Sequence, residues 1–160
     1  MTIAVGDPIP DVELRILRGK TPEPVRSRDV LGKGKVVLFA VPGAFTPTCS
    51  DYHLPGFVHR ADELRAKRVD TIACISVNDA YVMAAWARDQ KVGDNVLMLA
   101  DGNGEFTRAM GLEADMSAAG LGARSQRYAA VVEEGIVTAL LVEPERGLKV
   151  SSAESVLSAV

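Results

Sequence analysis

The apolar run Val36–Val41, VVLFAV, lies between Lys35 and Pro42 and leaves the chain little choice of local structure. It is too short for a buried helix, begins with β-branched residues and is stopped by proline and glycine, so it reads as a strand buried on both faces. Such strands belong to sheets covered by helices, and the rest of the chain is expected to supply that cover.

The segment after the strand carries the chemistry. Pro42, Gly43 and Pro47 punctuate a short loop. Thr46-Pro47-Thr48-Cys49 then has the order of a helix start, with a Thr-type cap followed by proline at the first helical position, where its missing N–H costs nothing. Cys49 falls in the first turn, where free backbone N–H groups and the positive end of the helix dipole favour a thiolate. A thiolate there is an accessible nucleophile; a lone cysteine elsewhere is more often a small, inert core residue.

The flanking segments predict alternating elements. Thr46 opens a helix reaching about Lys67, with Leu54, Phe57, Val58, Ala61 and Leu64 as its buried stripe and Pro55 kinking it. Thr71–Val77 is a second apolar strand. Asn78-Asp79 caps a helix from Ala80 to about Gln90, on which Met83 and Trp86 read as core packing. Val96–Ala100 is a third strand, and a short helix over Glu105–Met110 stops at Gly111. Arg127–Val132 and Ile136–Val142, separated by Glu133-Glu134-Gly135, read as an antiparallel hairpin. Ser151 and Glu154 form a capping-box pattern before a terminal helix that docks Val156 and Leu157. Toward the N-terminus, Val12, Leu14 and Ile16 alternate as a strand, Arg18–Pro24 reads as a turn, and Ser27 caps one helical turn before Gly32. Residues 113–126 read as an irregular loop with at most one helical turn. The result is an α/β architecture in one domain over residues 1–160: a mixed central sheet with a parallel core and a C-terminal antiparallel hairpin, flanked by helices.

Composition narrows the partners. The net charge of -3 is spread over mixed acids and bases with no run of five like charges, so neither nucleic acid nor an anionic membrane surface is an expected partner. There is no apolar segment long enough to span a bilayer and no leader pattern at the N-terminus, so the chain is expected to be cytoplasmic. Two cysteines make no disulfide scaffold. Without a C-x-x-C or Cys/His quartet, no metal or cofactor is expected.

The neighbours of Cys49 decide between reactions. A disulfide oxidoreductase would place a second cysteine where Tyr52 stands. A cysteine hydrolase would use His53 as base, but no orienting Asn or Asp is identifiable. Peroxide reduction remains: a thiolate attacks the O–O bond, becomes a sulfenic acid and is reduced by another thiol. It needs a hydroxyl, which Thr46 can supply, and a cation, for which Arg127 is the best candidate and Arg124 a second. His53 is expected near the pocket mouth, and Phe45 as a pocket wall or dimer contact. The alternative is a redox sensor or interaction module that uses the same thiol stoichiometrically.

Pro42-x-x-x-Thr46-x-x-Cys49, the longer VPGAFTPTCSDYHLPGF, ACISVNDAYV and the Arg127-Tyr128 strand together resemble the peroxiredoxins, and among them the type-II, or peroxiredoxin-five, branch. The resemblance implies a thioredoxin-like fold and a thiol-dependent peroxidase acting on hydrogen peroxide and alkyl hydroperoxides. It implies that Cys49 is the peroxidatic cysteine, that Thr46 and Arg127 bind the peroxide, that Pro42, beside Gly43, shields the sulfur, and that the protein forms a homodimer. Gly147–Ser151, where some members carry a resolving cysteine, has none. Cys74, the other thiol, reads as core; as a resolving cysteine it would need the first helical turn at Cys49 to unwind before the two could bridge. The expected cycle therefore uses an external thiol as reductant: glutathione with glutaredoxin, or thioredoxin.

Overall fold

The computed structural model describes all 160 residues. Its centre is β3 (Lys35–Ala40), whose residues Val36 to Ala40 are all buried. Alternation along the strand sends Val37 and Phe39 into one core layer and Val36, Leu38 and Ala40 into the other, which is why the sequence shows an unbroken apolar run.

Parallel neighbours β4 (Thr71–Ser76) and β5 (Leu97–Ala100) lie on one side of β3. On the other side, β8 (Tyr128–Glu133) and β9 (Ile136–Val142) add the antiparallel hairpin, closed by Glu134 and Gly135 at φ 49° and 81°. Two consecutive left-handed residues give the tight turn whose twist suits a two-residue hairpin. With β1 (Glu13–Leu17) and β2 (Pro22–Arg26), the sheet order is β2-β1-β5-β4-β3-β8-β9. The mixed sheet and hairpin are as expected from the sequence.

Helices cover both faces. The layer that holds Phe39 is filled by α2 (Leu54–His59), α3 (Ala61–Ala66), α4 (Ala80–Asp89) and α6 (Ala153–Leu157). The opposite layer holds α1 (Ser27–Leu31) and α5 (Glu105–Met110).

Several local expectations are corrected. Residues 22–24, read as turn, belong to strand β2, because Pro22 and Pro24 sit on the sheet's edge strand, where a missing N–H is tolerated. Residues 113–126 form a second small sheet, β6 (Glu113–Asp115) with β7 (Ala123–Ser125), around a 3₁₀ turn at Ser117–Ala119. The caps expected from Ser27 and Ser151 are not made by those side chains. Ser27 Oγ donates to the Pro10 carbonyl and accepts from Val12 N. Of the expected pair Asn78-Asp79, Asp79 supplies the cap of α4, whereas Ser152, not Ser151, caps α6.

The helix opened at Thr46 is not continuous to Lys67. Ser50 N donates to Thr46 O at 2.9 Å, but Cys49–His53 then form a π turn in which Leu54 N reaches Cys49 O, and Arg60 at φ -102° divides α2 from α3. Pro55, which offers no N–H to the preceding turn, is the local cause of the wide turn.

Phe39 stacks on Phe57 at 4.0 Å between ring centroids and tilts against His53 at 5.0 Å, so it pins the π turn to the sheet. Phe39→Ala should lower unfolding free energy by about 3–5 kcal/mol in a urea titration, the range for a truncated core aromatic.

Candidate active site

Cys49 lies in the π turn and Arg127 immediately before β8. The pairing of Ala40 with Tyr128 brings the end of β3, and the loop after it, beside Arg127. Arg127 is 9% exposed. Its Nη2 donates to Cys49 Sγ at 3.1 Å and its Nη1 to His53 Nδ1 at 2.9 Å. No carboxylate forms an ion pair with it. The nearest group able to balance its charge is the sulfur.

His53 is fixed by its two neighbours. Arginine has only donors, so Nδ1 must accept from it; the ring proton therefore sits on Nε2 and is donated to the Ser151 carbonyl at 2.9 Å. Burial, and after it the charge of Arg127, push the His53 pKa from 6.5 down to about 3, so the ring is neutral at physiological pH. A neutral, wholly buried imidazole behind the guanidinium replaces the expected residue at the pocket mouth.

The Ser151 carbonyl is itself held in place. Glu143 accepts from the backbone N–H groups of Lys149, Val150 and Ser151 and from Ser151 Oγ, at 2.6–3.0 Å. Burial alone would raise its carboxyl, but these bonds hold it below the usual value. Glu143 N also donates to the Arg127 carbonyl at 3.0 Å. Glu143 was not singled out in the sequence; a lone acid after a strand gives no signal of the loop it will gather.

The loop before Cys49 forms the other wall. Thr46 Oγ1 donates to the Gly43 carbonyl at 2.8 Å instead of capping the helix. Phe45 is held at φ 65°, a strained conformation for a bulky residue. Asn78 Oδ1 accepts from Ala44 N at 3.0 Å and from Ser76 Oγ at 2.6 Å, and so braces that strained turn. Arg124 does not join Arg127 at the sulfur: its Nη1 donates to the Pro42 carbonyl at 3.2 Å and its Nε to the Leu121 carbonyl. A Cβ on Gly43 would meet Arg124 Nη1 at 2.8 Å, so a larger residue there would push the end of the Arg124 side chain aside.

Pro42, Thr46 and Arg127 line a cleft of about 450 Å³ whose farther wall includes Met116, Leu121 and Arg146. Cys49 is fully buried, where the sequence reading expects an accessible sulfur; Arg127 touches both cleft and sulfur. Cys74 is also fully buried, on β4 opposite Phe39 of β3. Burial and then the neighbouring Cys49 charge push its thiol well above the ordinary value, which leaves it a poor nucleophile.

Comparison with known proteins agrees with this geometry. The redoxin family model matches residues 4–157. Chloroplastic peroxiredoxin-2E of Arabidopsis thaliana is 49% identical over 163 residues, 99% of this chain and 70% of that protein. Peroxiredoxin-2C of Oryza sativa subsp. japonica is 46% identical over 159 residues, 99% of this chain and 98% of its own length. The chain belongs to the peroxiredoxins.

Among solved structures, reduced Prx3 of Vibrio vulnificus in complex with hydrogen peroxide superposes with a TM-score of 0.94 at 49% identity, over 99% of each chain. This peroxiredoxin thus has the thioredoxin-like fold and the activity of its type-II relatives, reduction of peroxides at the expense of thiols. None of its helices is long and apolar enough to cross a membrane.

The depressed pKa of His53 makes a pH prediction. Below pH 6.5 the unfolded chain binds a proton at this imidazole that the folded chain refuses until about pH 3. Stability is therefore full above 6.5 and declines across that window, by up to about 1.4 kcal/mol per pH unit. His53→Gln, which can still accept from Arg127 and donate to Ser151, should remove this component; thermal melting from pH 7 to pH 4 on both proteins measures it.

Proposed function

We propose that Cys49 is the sulfur that reduces the peroxide, held as a thiolate by Arg127 in a pocket completed by Thr46 and Pro42. The observation that carries this is a buried guanidinium that donates to one sulfur and has no carboxylate to pair with. The thiolate attacks the nearer peroxide oxygen. An S–O bond forms as the O–O bond breaks, and the departing alkoxide or hydroxide takes up the peroxide's proton and leaves as alcohol or water. Arg127 stabilises negative charge on the breaking O–O bond. Thr46 Oγ1, whose proton is committed to Gly43, offers its lone pairs to the peroxide O–H.

In this reading the sulfenic acid is reduced by an external thiol: glutathione with glutaredoxin, or thioredoxin. The buried position and raised pKa of Cys74 support that one-cysteine cycle. Hydrogen peroxide and alkyl hydroperoxides both fit, the latter because Met116 and Leu121 give the cleft an apolar wall. The 160 residues act as one domain, and two unpaired cysteines suit the reducing cytoplasm.

Intact-mass analysis after one equivalent of peroxide, with and without glutathione, tests the cycle. The chain should gain one oxygen on Cys49, then glutathione in its place. Cys49→Ser should abolish turnover, Cys74→Ser should keep it, and Arg127→Gln should slow the peroxide step about 10²–10³-fold. Loss of turnover in a well-folded Cys74→Ser variant would refute the one-cysteine cycle.

A homodimer is part of the same reading. Phe45, Tyr52 and Tyr81 are large side chains that are more than half exposed, and the first two flank Cys49 in sequence. Phe45→Arg should shift the sedimentation coefficient from dimer to monomer; an unchanged value would count against this surface.

A further inference from the structure

The protein's only tryptophan, Trp86 of α4, is fully buried and donates its indole N–H to Ser50 Oγ at 2.9 Å. Ser50 directly follows Cys49 in the π turn. Backbone bonding around that turn is thin on its far side, because Pro55 has no N–H to offer the carbonyl of Ser50 or Asp51. A side chain on another helix therefore supplies part of what keeps the turn wound. The Trp86 ring also lies 6.5 Å from that of Phe45, so one residue meets the chain on both sides of the sulfur.

Two half-reactions make opposite demands on this turn. Attack on peroxide needs Cys49 Sγ held against Arg127. Reduction of the sulfenic acid needs a second thiolate to reach a sulfur that is wholly buried, form an S–S bond to it and expel hydroxide, which leaves as water on protonation. The turn must therefore be wound for one step and opened for the other.

We infer that Trp86 and Ser50 are positioning residues, a latch whose hydrogen bond holds the Cys49 turn closed and so divides the cycle between peroxide attack and thiol reduction. The inference rests on Cys49 being the reacting sulfur. A neutral hydrogen bond of ordinary net strength shifts an open-closed equilibrium by about three- to tenfold, and the rates should move by that factor.

The experiment compares Ser50→Ala, Trp86→Phe, the double variant and Ser50→Thr, the last keeping the hydroxyl. Stopped-flow mixing with hydrogen peroxide, then with glutathione, gives both rates, and peptide mass mapping locates the oxygen on Cys49 or Cys74. In each single variant the peroxide step should slow and the glutathione step accelerate, both by about three- to tenfold. The double variant should match the singles, because one bond is lost in all three, and Ser50→Thr should restore wild-type values. General loosening of the fold would neither be reversed by Ser50→Thr nor leave the double variant equal to the singles. Oxygen on Cys49 with both rates within about twofold of wild type, or additive effects in the double variant, would overturn the latch alone. Oxygen on Cys74 instead would overturn the assignment of the reacting sulfur and the latch with it.

Discussion

A buried arginine, Arg127, with no carboxylate to meet its guanidinium is the constraint from which the rest of the site follows. Leaving such a charge unpaired in a low-dielectric interior typically costs about 3–5 kcal/mol, so the fold must compensate for it. The compensation is divided between a thiol that can ionise and an imidazole that cannot be protonated beside a fixed cation. A carboxylate in place of His53 would neutralise Arg127 and weaken its hold on the sulfur. A neutral ring satisfies the second guanidinium arm while leaving the positive charge directed at Cys49.

Holding the ring requires a longer chain of contacts. His53 needs an acceptor on Nε2, which is the Ser151 carbonyl, and that carbonyl lies in a segment that Glu143 gathers with four donors. Because Glu143 extends β9 and its amide donates to the Arg127 carbonyl, the network closes on itself through the hairpin. Sheet register does the rest: shifting β8 by one residue would send Arg127 to the other face.

The sequence announced the parts whose causes are local. An apolar run bounded by proline shows β3, and the spacing of Pro42, Thr46, Cys49 and the later Arg127 marks residues that the fold gathers at one cleft and the sulfur beside it, because backbone signals and residue chemistry coincide there. What stayed hidden depends on partners far along the chain. Ser27, Asn78 and Ser151 all look like caps, yet each side chain is drawn to a tertiary partner, and a neighbouring residue or bare backbone starts the helix instead. Arg124 and Arg127 are chemically alike and three residues apart, but one braces the Pro42 loop and the other meets the sulfur. Only the placement of the small β6–β7 sheet separates them.

The burial of Cys49 also explains why its turn is built unlike an ordinary helix. A regular α-turn from residue 46 onward would be held by backbone bonds alone, independent of its surroundings. Here proline removes one bond, the turn widens, and Phe39, His53, Trp86 and Arg127 hold it instead. A neutral hydrogen bond such as that of Trp86 to Ser50 is worth about a kilocalorie per mole, small enough to exchange during turnover. A sulfur hidden from solvent in one arrangement and reachable in another thus needs no hinge or separate lid. The bonding of five residues, Cys49 to His53, is moved in part out of the backbone and into their neighbours.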